Sequence, residues 1–261
     1  MVQELIDVSG ENSVKGQPDF IIIGAQKCGT TSLYQYLIQH PQILPASQKE
    51  VHFFDLNFVR GVDWYRQQFQ PVSQGLITGE ASPYYIFHPL VAERVYKLFP
   101  QVKLIALLRN PVERAISHYY HEVRLGCEKL GLLDAIAQEF ARLKEETAKM
   151  LADANYYSYN HQHYTYLSRG IYVEQLKNWR QFFPKEQLLV LPSEELYNQP
   201  NQVLNQVLEF LQLPSYQLTQ YDKYNSGEYP EIKPEIRQQL QEYFQPYNQQ
   251  LEEFLGVKFP W

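Results

Sequence analysis

The chain has 261 residues, 44% of them hydrophobic, and a formal net charge of −6 at pH 7. This is enough apolar material for a sizeable core, and the length suits one domain over 1–261, so global disorder is excluded. The acidic balance argues against a protein that coats nucleic acid, and more weakly against a long polyanionic partner, which needs a basic groove. The two cysteines, Cys28 and Cys127, cannot form a disulfide framework, and no Cys/His cluster has zinc spacing, so no metal centre is expected. Residues 1–17 read as a flexible N-terminus: they are polar, include Glu4, Asp7 and Glu11, and lack the basic and apolar regions of a signal peptide. No apolar run can span a bilayer, so a cytoplasmic protein with no membrane partner is expected.

In chain order, Phe20-Ile21-Ile22-Ile23 is a short apolar run ending at Gly24, which predicts a buried strand. A tight loop leads to a helix over 30–39, stopped by Pro41. Residues 77–80 predict a second strand. Val91, Val95 and Leu98 lie at i, i+4 and i+7, the stripe of a helix ending near Pro100. Residues 103–108 form the clearest central strand. Asn110-Pro111-Val112-Glu113 is a helix start, with Asn as N-cap and Pro at the first helical position, and the helix runs to about Arg124.

Residues 126–160 have a different character. Leu133, Ile136, Phe140, Leu143 and Met150 predict a helix with a narrow apolar stripe, interrupted at Thr147. The segment reads as a helical insertion or lid. Residues 156–160 and the histidines after them read as a loop. Tyr172, Leu176, Trp179 and Phe183 mark another helix, 188–191 a strand, and Val203, Leu204, Val207, Leu208 and Leu211 a further helix. Strands alternating with helices predict an α/β fold with a central parallel sheet flanked by helices.

The chemistry concentrates in Gly24-Ala-Gln-Lys27-Cys28-Gly29-Thr30-Thr31-Ser32, a strand-to-helix loop with two glycines. Glycine permits close backbone approach, and a helix N-terminus favours an anion. Lys27 adds a mobile positive charge, and the three hydroxyl residues add donors. A nucleoside-triphosphate P-loop places lysine directly after its second glycine. Here that residue is Thr30, and the lysine lies before Gly29. An ordinary strand-to-helix turn with capping threonines is the plain alternative.

Four segments in order over nearly the whole chain resemble the sulfotransferases that use 3′-phosphoadenosine-5′-phosphosulfate (PAPS), and most of all the heparan sulfate 3-O- and N-sulfotransferase branch. They are the loop just described; Lys49-Glu50-Val51-His52-Phe53-Phe54-Asp55 with Gly61-Val62-Asp63-Trp64-Tyr65; Leu108-Arg109-Asn110-Pro111-Val112-Glu113-Arg114-Ala115-Ile116-Ser117; and Arg169-Gly170-Ile171-Tyr172 with Gln175-Leu176, Trp179 and Phe183-Pro184. The resemblance implies a parallel sheet with PAPS at the strand C-termini. It implies that Lys27 contacts the leaving phosphate and Glu50 is the general base, with His52 and Asp55 orienting Glu50 or the acceptor. By the same resemblance Lys27, Cys28, Gly29, Thr30, Thr31 and Ser32 hold the 5′-phosphosulfate, and Arg109 and Ser117 the 3′-phosphate. Tyr172 could contact the nucleotide or pack in the core. The loop over 223–229, with Ser226 and Gly227, closes over the nucleotide.

In-line sulfuryl transfer gathers charge on the leaving oxygen, which a positioned lysine stabilises, while a carboxylate takes the acceptor proton. The sulfuryl group carries less charge than a terminal phosphate, so no metal is expected to be required. Each residue has a bland alternative: a solvated Glu50, a core His52, a capping Asp55, or Arg109 paired with Glu80 or Glu113. The chain departs from its relatives at Gly79-Glu80-Ala81-Ser82-Pro83, where Ala81 stands in place of a lysine, and at Ser226, where a basic residue is expected. These departures and the acidic balance point to a small neutral or cationic alcohol as acceptor, in a secondary-metabolite tailoring step. A carbohydrate O- or N-sulfotransferase is the first alternative and a P-loop ATP-dependent kinase the second. A catalytically dead nucleotide- or glycan-binding module is the remaining one.

Overall fold

The computed structural model describes residues 16–71, 73, 75–224 and 230–261. Five parallel strands form one sheet in the order β2-β3-β1-β4-β5: β1 Phe20–Gly24, β2 Ile43–Pro45, β3 Ile77–Ala81, β4 Lys103–Leu108 and β5 Leu188–Pro192. Each register is parallel; Phe20 pairs with Gly79 on one side and Lys103 on the other. The helices between them are α1 Thr30–Leu37, α2 Val62–Arg66, α3 Val91–Leu98 and α4 Pro111–Arg124. Then come α5 Leu132–Leu143, α6 Glu146–Ala152, α7 Tyr159–His163, α8 Tyr172–Arg180, α9 Ser193–Asn198, α10 Pro200–Leu211 and α11 Pro234–Leu255.

The central strands are apolar on both faces because helices cover both. Every residue of β1 is buried, as is 104–108 of β4. α4 starts where its signals place it: the Asn110 side chain accepts from the Val112 N–H, with Pro111 at the first helical position. Trp179 of α8 is fully buried, and its indole N–H donates to the Ile86 carbonyl at 3.2 Å.

The insertion differs from its expected form. One helix becomes two, α5 and α6, broken where Glu145 takes a left-handed conformation (φ 66°). Only part of the expected stripe faces inward: Met150 is buried and Ile136 packs on a buried cluster, but Leu133 is 51% exposed and Phe140 86%. The fully buried positions of α5 are Ala135 and Glu139. Glu139 accepts from the N–H groups of Leu167 and Ser168 at 2.7 and 2.8 Å and from the Ser168 hydroxyl. Glu146 accepts from the Ser158 and Tyr156 hydroxyls and from Lys149. Glu128 accepts from Arg142, the Tyr166 hydroxyl and two backbone N–H groups. Carboxylates, where an apolar stripe was expected, therefore anchor this segment. The stretch expected as loop includes α7, whose start is capped by the Ser158 hydroxyl.

Leu107 sits in the fully buried stretch of β4. Leu107→Ala leaves a cavity at the sheet centre, and urea unfolding should show a loss of about 3 kcal/mol.

Candidate active site

Four strands end on one cleft of about 870 Å³. Lys27 follows β1, Pro83 follows β3, Arg109 follows β4, and Ser193 and Glu194 follow or open from β5. Glu50 reaches the same cleft from the loop after β2. A crevice beyond the carboxyl ends of parallel strands is the general ligand position in open α/β sheets.

The loop after β1 needs both of its glycines. Gly24 has φ 157°, and a Cβ there would lie 2.5 Å from the Ile86 side chain. Gly29 has φ 86°, and a Cβ there would meet the Tyr197 hydroxyl at 2.7 Å. Gly29 precedes α1, so the positive end of that helix opens on the cleft beside Thr30 and Thr31. Lys27 itself is left-handed (φ 70°), a conformation that costs of order 1–3 kcal/mol outside glycine. Burial, with Arg124 and Arg109 nearby, pulls its ammonium below the ordinary lysine value. The Arg169 guanidinium is buried beneath the loop. It donates to the Gln26 side chain and to the carbonyls of His161 and Gln162 at 3.0 and 2.8 Å.

The loop after β2 is organised by Glu80, wholly buried on β3. One carboxylate oxygen accepts from the Tyr65 and Tyr85 hydroxyls at 2.8 and 3.0 Å. The other accepts from the Ser82 hydroxyl at 2.5 Å and the Val51 N–H at 3.1 Å. Ser82 then accepts from the His52 N–H, and Tyr85 from the Phe53 N–H. His52 is held with φ 51° between two carboxylates. Its Nδ1 lies 2.7 Å from Asp55 and its Nε2 3.2 Å from Glu50. Lys49 pairs with the other oxygen of Glu50. Burial disfavours the imidazolium, but Asp55 and Glu50 outweigh it and push the His52 pKa up to about 10. Burial likewise raises the Glu50 carboxyl, but His52 and Lys49 reverse this and hold it at about 2. The Glu50 side chain is 40% exposed and that of Asp55 fully buried.

Seven of the sequence candidates therefore line one cleft: Lys27, Gly29, Thr30, Thr31, Glu50, Arg109 and Ser117. Others sit behind it. Cys28 and Ser32 are fully buried, and the Ser32 hydroxyl accepts from the Tyr224 N–H. Tyr172 is buried, with its hydroxyl donating to the Arg109 carbonyl at 2.9 Å, so it supports the Arg109 backbone from below. Ser226 and Gly227 lie outside the described residues. Among the described residues Arg109 pairs with neither alternative partner: Glu80 is enclosed by its own donors, and Glu113 pairs with Arg237.

The cleft also holds residues that were not singled out. Glu113, His121 and Arg124 join the predicted Ser117 at intervals of three or four residues along α4, so one face of that helix forms a wall. Its spacing from Ser117 was readable. Lys49 and Lys223 carry further positive charge, and Lys223 lies 4.5 Å over the Tyr197 ring. An acidic chain thus presents a cationic cleft.

The family profile described as "Sulfotransferase domain" matches residues 17–230. The chain belongs to the sulfotransferase family. The chain is similar to human "Heparan sulfate glucosamine 3-O-sulfotransferase 5", 31% identical over 95% of this chain and 75% of that protein. It is also similar to "Membrane-associated sulfotransferase kil1" of Dictyostelium discoideum, 28% identical over 94% of this chain and 66% of that protein. Among solved structures, the sulfotransferase from Alicyclobacillus acidocaldarius matches 94% of this chain and 98% of its own, with 32% identity and a TM-score of 0.76. The expected α/β architecture and PAPS-dependent sulfotransferase assignment both hold. No helix among the described residues is long and apolar enough to cross a membrane.

Because His52 gains its charge partners on folding, its contribution to stability is complete below its ordinary pKa of 6.5 and is lost as pH rises towards 10. Asp55→Asn should lower stability by about 2 kcal/mol at pH 6. The difference between variant and wild type should shrink as the pH of urea titrations rises from 6.5 to 10.

Proposed function

We propose that this sulfotransferase moves the sulfuryl group of PAPS onto a hydroxyl of a small acceptor, with Glu50 as general base and Lys27 on the leaving phosphate. The observation that carries this reading is the convergence of Lys27, Glu50 and Arg109 on one cleft from three different strand ends. The acceptor oxygen attacks sulfur as the bond from sulfur to the phosphate oxygen breaks, and the acceptor proton passes to Glu50. Lys27 meets the charge that develops on the leaving oxygen, a contribution typically worth about 3–4 kcal/mol. Arg109 and Ser117 hold the 3′-phosphate, while the loop after β1 and the α1 N-terminus hold the 5′-phosphosulfate.

Glu50 is ionised throughout the physiological range, as a proton acceptor must be. It is weakly basic while Lys49 and His52 remain on it, so the acceptor hydroxyl must displace the Lys49 contact. His52, fixed by Asp55, orients the carboxylate. In this chemistry a placed base contributes ~10²–10⁴-fold.

A second cavity of about 370 Å³ favours a small acceptor with an apolar part. It lies behind Asp55 and is lined by Phe58, Val59, Tyr84, Tyr156 and Tyr157, with α6 closing one side through Met150. The insertion thereby supplies acceptor contacts, and a secondary-metabolite alcohol in the cytoplasm is the setting that suits it. A carbohydrate acceptor is the second reading, supported by the resemblance to a heparan sulfate 3-O-sulfotransferase and by the cationic cleft.

Calorimetry with adenosine 3′,5′-bisphosphate (PAP) in metal-free buffer tests the donor site. Wild type should bind, and Arg109→Ala should lose at least about tenfold in affinity, as expected for a charged hydrogen bond. Failure of wild type to bind overturns the reading. Sulfation of polyanionic oligosaccharides alone, in a panel that includes aromatic alcohols, overturns the small-acceptor assignment.

A further inference from the structure

At the far end of α4 the fold gathers three metal-ligand side chains from residues separated in sequence. Glu122 lies on α4, Cys127 on the loop after it and His163 at the end of α7. One ligand atom from each lies within 4.8 Å of the others. We propose that Glu122, Cys127 and His163 bind a divalent cation of the zinc class, bracing the insertion against α4.

The donor set is one sulfur, one nitrogen and one oxygen, which suits zinc and leaves its fourth tetrahedral position to water. A thiolate and a carboxylate together balance a divalent charge. Glu122 is 1% exposed. His163 Nδ1 faces one of its oxygens at 2.8 Å, and His118 Nε2 lies 3.2 Å from the other. His118 Nε2 makes no hydrogen bond in this geometry, so a small turn of its ring would let it back the carboxylate as an outer-sphere partner. The second nitrogen of His163 lies 3.4 Å from the Tyr157 hydroxyl. Cys127 is half-buried, so the site has an entry path.

On binding, the Cys127 thiol loses its proton to solvent and three metal–ligand bonds replace bonds from the ion to water. His163 Nδ1 exchanges its hydrogen bond to Glu122 for a metal bond, its proton moving by way of solvent to Nε2, beside Tyr157. No redox change is involved. The site adjoins the cleft, because His121 and Arg124 of the cleft wall flank Glu122 on α4. Metal occupancy would therefore stiffen both the insertion and that wall. No sequence spacing announces the site, since Cys127 and His163 stand at opposite ends of the insertion.

Tag-free, metal-free full-length protein is titrated with cobalt(II), and separately dialysed against zinc with metal content measured. One equivalent of zinc should bind and raise the melting temperature. Cobalt should give a sulfur-to-metal charge-transfer band and the intense visible bands of a tetrahedral site. Cys127→Ser should abolish the charge-transfer band. His163→Gln, checked for native circular dichroism, should weaken zinc binding by at least about tenfold. Less than one equivalent of zinc, or a cobalt band that survives in Cys127→Ser, overturns the site.

Discussion

The buried carboxylate of Glu80 is the constraint around which the cleft is built. An ionisable group with no exposure is tolerated only if its oxygens are fully engaged, and four donors surround this one. Two of them, Tyr65 and Tyr85, are themselves buried among Phe53, Phe54 and Phe99, so the polar hub sits inside an aromatic cluster. The other two, the Val51 N–H and Ser82, fix the backbone that carries Glu50 and His52. Burial outweighs these donors and pushes the Glu80 carboxyl up to about 7. Its ionised form is therefore stabilised less well than in water, a cost the fold accepts in exchange for a rigid loop. Positive φ at His52 is sustained by the same contacts.

Charges divide the labour in this fold. The chain is acidic, yet its cleft is cationic, because several carboxylates are spent inside the protein. Glu80 orders the loop after β2, Glu139 caps the backbone before α8, and Glu128 and Glu146 tie the insertion together. Lys27, Arg109 and Arg124 are left facing the cleft with no ion pair among the described residues. On the proposed reading, mutual repulsion among them is offset when the polyanionic donor nucleotide arrives, which would make donor binding and cleft organisation one process. Net charge sums buried and exposed groups alike and says little about the field in the cleft.

Much of this was legible in the sequence because it rests on local rules. β1 and β4 are apolar runs of strand length, and the α4 start follows from Asn110 and Pro111 at their capping positions. The glycines of the loop after β1 are readable because only glycine tolerates their backbone angles. What escaped depends on tertiary context. Glu139 and Glu146 look solvent-facing in a helical pattern and become buried only because Ser168 and Ser158 reach them from elsewhere. α11 shows a weak stripe among many glutamines with Pro246 in its interior, yet it packs through Leu240, Phe244 and Leu251. The burial of Tyr172 and Cys28 beneath the loop could not be told from ligand contact by spacing alone.

On the proposed mechanism, this scaffold presents Glu50 as the base opposite Lys27. The most direct test is transfer from isotopically labelled PAPS to the best alcohol of an acceptor screen, comparing wild type with Glu50→Gln. Glu50→Gln should lower kcat roughly 10²–10⁴-fold with PAP affinity unchanged, because Glu50 acts on the acceptor proton and not on the nucleotide. Full turnover by Glu50→Gln would contradict it and move the base to another group in the cleft.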